Sequence, residues 1–244
     1  MHQPKLQKEN KTTSNGGNIA ILLAAGGSTR IRPINKMFYR IKGRPLLLYT
    51  ILVLEKHPEI QKIILVARES DFPKIISLVK KYNLKKLAII IEGGKKRQDS
   101  AFNGLKAATK IGAKKGDLIL FHNGANPLVS SEEISEIIRI TKKHKAALIG
   151  HFARDTVKET DNRGFVSRTI DRKKIFLAQT PQVIEYNLAK RAFEKAKKDK
   201  FYGTDDVSLV ERMGLKVKVV PGGLHNIKVT FAADLDFVKF LLEK

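Results

Sequence analysis

Short apolar runs alternate along this chain with longer segments in which apolar residues recur at helical spacing. The runs predict buried strands at residues 18–24, 60–67, 87–91, 117–121 and 146–152. Such alternation is typical of βα units that wind helices over both faces of a mostly parallel sheet. The sequence therefore predicts an α/β fold with a doubly wound sheet.

Several connecting segments carry helix signals. Ser130 and Glu133 have the spacing of a capping box, and Gly112 ends an apolar stripe. Asp205 and Asp206 stand where they would cap a further helix. Helices are predicted at residues 45–57, 98–111, 189–197 and 205–213, after residue 129 and from residue 234, with another strand at 215–220.

Residues 156–172 depart from this pattern. They are polar and extended around a turn signal at residues 162–164, which predicts a β-hairpin arm that protrudes from the sheet. An isolated two-stranded hairpin is marginally stable in water. We therefore expect a two-fold homodimer in which the arms pack against each other.

The charge of the chain is strongly positive. Lys and Arg number 47 against 24 Asp and Glu, a formal charge of +23 that favours phosphate-bearing partners. A basic nucleic-acid-associated protein is one alternative. However, the charge is spread along the chain, and no nucleic-acid-binding motif occurs, so we expect no specific nucleic acid partner. The absence of cysteine excludes a thiol nucleophile and any disulfide.

The chain is predicted to have two parts. Residues 1–18 are polar and dotted with lysine, which predicts a disordered lead without the apolar core of a secretory signal. Residues 19–244 are long enough for a single domain. No run approaches the roughly 20 apolar residues that cross a bilayer. We therefore expect a cytoplasmic protein that does not bind membranes.

The first predicted strand runs directly into the small-residue loop LAAGGSTR at residues 23–30, and Lys36 follows. Small residues at the carboxyl end of a strand let backbone N–H groups approach a phosphate closely. The loop is neither a P-loop nor a dinucleotide fingerprint, which disfavours γ-phosphate hydrolysis and NAD binding. Taken alone, it is explained equally well as a tight turn.

Further motifs follow this loop in order, at residues 92–100, 122–127, 154–158, 169–172, 180–182, 204–206 and 226–230. Together they resemble the 2-C-methyl-D-erythritol 4-phosphate cytidylyltransferase family, from about residue 18 to the C-terminus. The resemblance implies a Rossmann-like fold that joins CMP from CTP to this sugar-alcohol phosphate, releasing pyrophosphate. It also implies Mg²⁺ as the metal that neutralises the triphosphate.

The resemblance implies a nucleotide site built from several motifs. The triphosphate would be cradled by Ala24, Ala25, Gly26 and Gly27. Gly94 and Ser100 would read the cytosine edge. Arg30 and Lys36 match a cationic pair that stabilises charge on the α-phosphate as it is attacked, a task for fixed cations.

The acceptor half of the site is implied in the same way. Arg172 and Lys228 match residues that position the incoming phosphate monoester, which is itself the nucleophile. Thr156 and Thr180 match hydroxyls that bond the acceptor. A dimer would lend Thr156 or Arg172 to the site of the neighbouring copy.

Some positions differ from the family pattern. Asn123 replaces an acid expected to contact CTP and Mg²⁺, and Asn126 replaces an arginine expected to bind the acceptor phosphate. Lys95 stands where an acid is common, Met37 where glutamine is common, and one residue fewer separates Arg30 from Lys36. A neutral amide does not offset the charge of a divalent cation as a carboxylate does. A ribitol 5-phosphate cytidylyltransferase and a CTP-binding pseudoenzyme with impaired turnover therefore remain alternatives.

One further residue, His122, ends a predicted buried strand. A histidine there is a metal ligand or a packed polar residue, and the second reading is favoured because no other His, Asp or Glu has the spacing of a metal site.

Overall fold

A computed structural model describes residues 17–27 and 35–243. The strands are β1 (Asn18–Leu23), β2 (Arg40–Ile41), β3 (Arg44–Pro45), β4 (Ile60–Ala67), β5 (Leu87–Glu92), β6 (Leu118–Asn123), β7 (Ala146–Phe152), β8 (Val157–Thr160), β9 (Val166–Ile170), β10 (Phe176–Glu185) and β11 (Lys218–Pro221). The helices are α1 (Leu46–Lys56), α2 (Phe72–Tyr82), α3 (Arg97–Lys110), α4 (Ser131–His144), α5 (Tyr186–Lys198), α6 (Ser208–Glu211) and α7 (Ala232–Glu243). The predicted lead falls almost entirely outside the described residues.

Seven of these strands form one sheet in the order β11-β7-β10-β6-β1-β4-β5. All neighbours are parallel except β10, which runs antiparallel to both β6 and β7. The prediction of an α/β fold with a mostly parallel sheet is confirmed. Because β1 lies between β4 and β6, the loop that follows β1 emerges near the middle of the sheet.

Strand β1 shows how the core is divided. Its alternate residues Ala20 and Leu22 are fully buried in a cluster on one face, and Ile19 and Ile21 are buried in a second cluster on the other face. This two-sided burial explains why the strand is a continuous apolar run. A side chain at Gly104 of α3 would strike Ile21, so glycine lets this helix lie directly on β1.

The capping box before α4 is present as predicted. The Ser130 hydroxyl oxygen accepts the Glu133 N–H at 3.1 Å, and the Glu133 carboxylate accepts the Ser130 N–H at 2.8 Å. Each side chain therefore satisfies a backbone donor that the helix itself leaves unpaired.

The helix predicted at residues 205–213 is much shorter, because α6 spans only Ser208–Glu211. Asp205 stabilises the turn that leads into α6, since its carboxylate accepts the Ser208 N–H at 3.0 Å, but the N-cap position is Val207. Asp206 does not cap a helix. Its carboxylate turns inward, and its own N–H is donated to the side-chain oxygen of Gln182 at 2.9 Å.

The predicted arm is the antiparallel hairpin of β8 and β9, which forms a small sheet of its own. Its turn contains Gly164, whose φ of 86° suits glycine. Phe165 and Val166, beside the turn, expose 67% and 60% of their surface. Among the described residues, no helix is long and apolar enough to cross a membrane.

Candidate active site

The loop after β1 forms one wall of a cleft. Ala24, directly after β1, is held against the sheet, because its N–H is donated to the Val66 carbonyl at 2.7 Å. Ala25, Gly26 and Gly27 then line the cleft. A side chain built at Gly26 would meet nothing, so the backbone here is open to a ligand. The sequence therefore presents bare backbone at the carboxyl end of a central strand.

The opposite wall is the turn that leads from β5 into α3. The Ser100 hydroxyl accepts the Gly94 N–H at 3.0 Å and lies 3.2 Å from the Lys96 carbonyl, to which it can donate. Asp99 also accepts the Lys96 N–H at 3.0 Å. These contacts fix the turn, and the positive N-terminal end of α3 borders the cleft.

Lys36 joins two distant segments at the base of the cleft. It is only 8% exposed, and its ammonium donates to the Val229 carbonyl at 2.8 Å. Lys228 and Thr230, on either side of Val229, also line the cleft. A cation predicted for the nucleotide and a cation predicted for the acceptor therefore border the same space.

An ion pair between Arg97 and the buried Asp206 stabilises the start of α3. The Arg97 guanidinium donates to both carboxylate oxygens of Asp206 at 2.9 and 2.6 Å. Asp206 is 1% exposed. Burial raises the pKa of its carboxyl above the usual value, whereas the charge and hydrogen bonds of Arg97 act to lower it.

A network of amides lies beside the end of β6. Asn123 lines the cleft, and its amide nitrogen donates to the side-chain oxygens of Asn126 at 3.1 Å and Thr180 at 3.3 Å. Asn126 is 1% exposed and in turn donates to the Asn226 carbonyl at 3.2 Å. Asn126 and Thr180 are thus buried beneath Asn123.

His122 is fully buried under the same network. Its Nε2 lies 3.2 Å from the Asn126 carbonyl oxygen. Burial lowers the pKa of His122 to about 4, against the opposing effect of nearby backbone carbonyls. The described residues contain no cluster of three or more His, Cys, Asp or Glu side chains that could hold a metal. His122 is a neutral, packed polar residue.

The cleft has a volume of about 300 Å³ and unites most of the predicted nucleotide residues. Those that line it are Ala25, Gly26, Gly27, Lys36, Gly94, Ser100 and Asn123, and Lys228, predicted for the acceptor, lines it as well. Thr156 and Arg172 do not line it. Arg172 is exposed beyond the arm, where it donates to the Arg154 carbonyl at 2.6 Å. Arg30 lies outside the described residues.

Polar residues that line the cleft but have no role predicted from the sequence include Lys96, Arg97 and Thr230. A signal existed for the first two, because three consecutive cations precede the predicted helix at residue 98. Thr230 is the last residue of the motif at residues 226–230, but no separate sequence signal indicates that it lines a site.

The fold and cleft define a nucleotide-binding α/β protein, because a glycine-rich turn, a helix N-terminus and fixed cations converge at the carboxyl ends of β1 and β6. Residues 18–244 match the family model of IspD, 2-C-methyl-D-erythritol 4-phosphate cytidylyltransferase. The chain belongs to this family of CTP-dependent nucleotidyltransferases, which generally use a divalent metal.

Individual relatives agree with the family match. The chain is 40% identical to a 2-C-methyl-D-erythritol 4-phosphate cytidylyltransferase of Syntrophus aciditrophicus, across 93% of this chain and 96% of that protein. A Clostridium botulinum protein of the same name is 39% identical across 93% and 98%. The crystal structure of 4-diphosphocytidyl-2C-methyl-D-erythritol synthase from Anaerococcus prevotii superposes with a TM-score of 0.82 at 33% identity, covering 94% of this chain and 97% of that one.

Proposed function

We propose that this protein transfers CMP from CTP to 2-C-methyl-D-erythritol 4-phosphate and releases pyrophosphate. A phosphate oxygen of the acceptor attacks the α-phosphorus of CTP, and the bond from that phosphorus to the bridging oxygen breaks. The leaving group is pyrophosphate. The observation that carries this proposal is the Lys36–Val229 contact, because it brings the predicted nucleotide cation beside Lys228 in one cleft.

The reaction needs fixed positive charge more than acid–base groups, because the acceptor phosphate is already an anion. In this proposal, Lys36 and Arg30 stabilise the charge that develops around the α-phosphorus. Backbone N–H groups at Gly26 and Gly27 bind the triphosphate, and the turn around Gly94 receives the cytosine. Lys228 holds the acceptor phosphate.

Mg²⁺ is the divalent metal that we propose for the reaction. It would enter bound to the phosphate oxygens of CTP, where it neutralises the pyrophosphate that leaves. Among the described residues, no carboxylate lines the cleft to bind this ion.

We propose that two copies of the chain form the active enzyme. The arm exposes Phe165 and Val166, and Phe152 and Leu177 near its base expose 48% and 46%. A two-stranded hairpin with exposed apolar residues gains stability by packing on another copy. Thr156 and Arg172 would then serve the acceptor site of the neighbouring copy, since neither lines the cleft of its own chain.

Residues 19–244 act as one catalytic domain, in which β1, β6 and the turn before α3 all contribute to one cleft. The reaction takes place in the cytoplasm, because its nucleotide substrate, CTP, is an intracellular metabolite.

Pyrophosphate release measured with CTP and each of two acceptors tests the proposal. We expect turnover with 2-C-methyl-D-erythritol 4-phosphate and much slower release with ribitol 5-phosphate. Faster turnover with ribitol 5-phosphate would show that the protein is a ribitol 5-phosphate cytidylyltransferase instead. Binding of CTP without turnover of either acceptor would identify a pseudoenzyme.

A further inference from the structure

The cleft has an unusual balance of charge for a metal-dependent nucleotide site. Its lining includes five cationic side chains, Lys36, Lys95, Lys96, Arg97 and Lys228. No carboxylate lines it among the residues that the structure describes. Residues 28–34, outside that part of the chain, add two arginines to the sequence and no acid.

The carboxylates next to these cations have other partners. Asp206 is held by Arg97 in a bidentate pair. Asp205 accepts hydrogen bonds from Gln182 and from the Ser208 N–H. These acids shape the walls of the cleft, and neither reaches its lining as a ligand for a divalent ion.

Asn123 is the residue where a metal ligand would be expected, and its surroundings fix the orientation of its amide. Asn126 donates through its nitrogen to the Asn226 carbonyl, so its side-chain oxygen is the acceptor that faces Asn123. The Asn123 nitrogen therefore points into the network, which leaves only a neutral amide oxygen for a ligand. Mg²⁺ binds through oxygen ligands that usually include one or two carboxylates. The residues present do not fit a metal ion held by the protein.

The cations of the turn before α3 line the same cleft as the backbone of Gly26 and Gly27 that would bind the triphosphate. Lys95 and Lys96 are exposed at the cleft, and the Lys96 ammonium lies 3.5 Å from the centre of the Tyr202 ring. Both precede α3, a helix of 14 residues whose N-terminus carries a partial positive charge of its own. Lysines and helix dipole therefore act together on any anion bound at this wall.

We propose that this protein binds CTP as the metal-free anion at least as tightly as it binds the Mg²⁺ complex, with Lys95 and Lys96 supplying the counter-charge. Metal-free CTP carries roughly four negative charges and its Mg²⁺ complex roughly two, so bound Mg²⁺ weakens the attraction of the nucleotide to fixed cations. No protein carboxylate in the described cleft compensates for that loss. The inference rests on the proposed function only in taking CTP as the nucleotide.

Calorimetric titration of the full chain with CTP, once in excess EDTA and once in excess Mg²⁺, tests the inference without any acceptor or turnover. We expect a Kd in EDTA that is equal to or lower than the Kd in Mg²⁺. Binding that requires Mg²⁺ would overturn the inference and leave the proposed transferase activity standing. No CTP binding under either condition would overturn both.

Variants identify the residues responsible. Lys95→Ala and Lys96→Ala should each raise the metal-free Kd by about tenfold, with a smaller effect in Mg²⁺. Asn123→Asp should also weaken metal-free binding and should make Mg²⁺ favourable to binding. Lys62→Ala removes an exposed lysine that donates to the Ile111 carbonyl on another part of the molecule, and it should change neither Kd. Equal behaviour of the two cleft variants and this control would contradict the assignment.

Discussion

Arg97 and Asp206 lie 109 positions apart in the chain and form a bidentate ion pair, with the carboxylate almost completely buried. The pair fastens the first turn of α3 to the segment before α6. It therefore couples the wall expected to receive the cytosine to the protein interior.

Arg97→Ala should destabilise the fold by roughly 3 to 5 kcal/mol, because it leaves a buried carboxylate without its counter-ion. Burial already raises the pKa of Asp206, and removal of Arg97 raises it further. The folded variant then binds more protons than the unfolded chain. The destabilisation caused by Arg97→Ala should therefore become smaller as the pH falls. Urea unfolding at two pH values measures this. Arg139→Ala, which breaks an exposed pair with Glu136, is the control and should change little.

Ser100→Ala should erode the preference of the protein for CTP over UTP, ATP and GTP. The hydroxyl orders the turn through Gly94 and the Lys96 carbonyl, and its loss leaves the Gly94 N–H without this partner. Triphosphate affinity should remain mostly intact. Thermal unfolding with each nucleotide measures the preference, because a ligand of the native state raises its stability. Ser77→Ala, an exposed change on α2, serves as control, and an undiminished CTP preference in Ser100→Ala would contradict the role.

Lys36→Ala should lower kcat by about 10²-fold or more while affecting CTP binding less, because its charge acts on the transition state. Arg30→Ala should behave in the same way. Lys228→Ala and Arg172→Ala should instead raise the KM for the acceptor as well. Steady-state kinetics separate these effects. Lys62→Ala, a lysine with a similar contact to a carbonyl, should leave both constants unchanged. Normal kcat in Lys36→Ala would rule out its proposed role.

The buried His122 should make the protein acid-sensitive. Its pKa is about 4 in the fold and close to 6.5 when unfolded, so the unfolded chain binds more protons between these values. Stability should be complete above about pH 6.5 and fall by an amount on the order of 3 kcal/mol as the pH approaches 4. Denaturant titrations at several pH values across this range should show that the unfolding free energy of His122→Gln depends less on pH than that of the native chain. His144→Gln, at the exposed end of α4, is the control and should retain the pH dependence of the native chain.

Charge placed on the arm should dissociate the proposed dimer. Phe165→Glu combined with Val166→Glu puts two carboxylates on exposed apolar positions that we expect to pack against the other copy. Sedimentation velocity at micromolar concentration should show dimers for the native chain and monomers for the variant. A native chain that sediments only as a monomer would refute the dimer.

The sequence predicted the parallel part of the sheet well, because strands buried on both faces leave continuous apolar runs. The strand at residues 60–67 has the predicted bounds, and the capping box at Ser130 was readable from two residues. Strand β10 was not predicted as a strand. Its first half is exposed and its pairing with β7 shifts register between Ala178 and Gln182, so the local pattern is not that of a buried strand.

The site was predicted less completely, for a different reason. Motifs identified the residues that share the cleft, yet contacts over long sequence separations decide what each one does. Asp206 looked like a helix cap because its partner Arg97 is remote in sequence. Asn126 stood in a recognised motif, and only its bond to Asn226, 100 positions away, reveals that it is buried.

The arm begins and ends on neighbouring strands of the main sheet. Phe152 of β7 pairs with Phe176 of β10, and the Ala153 N–H bonds to the Ile175 carbonyl at 2.9 Å. Everything between residues 153 and 175 is thus an excursion whose two ends are held together by the sheet. Its length and tip sequence can change without displacing the strands that carry the nucleotide cleft. The arm can therefore evolve, or be grafted, independently of the cleft that we propose binds CTP.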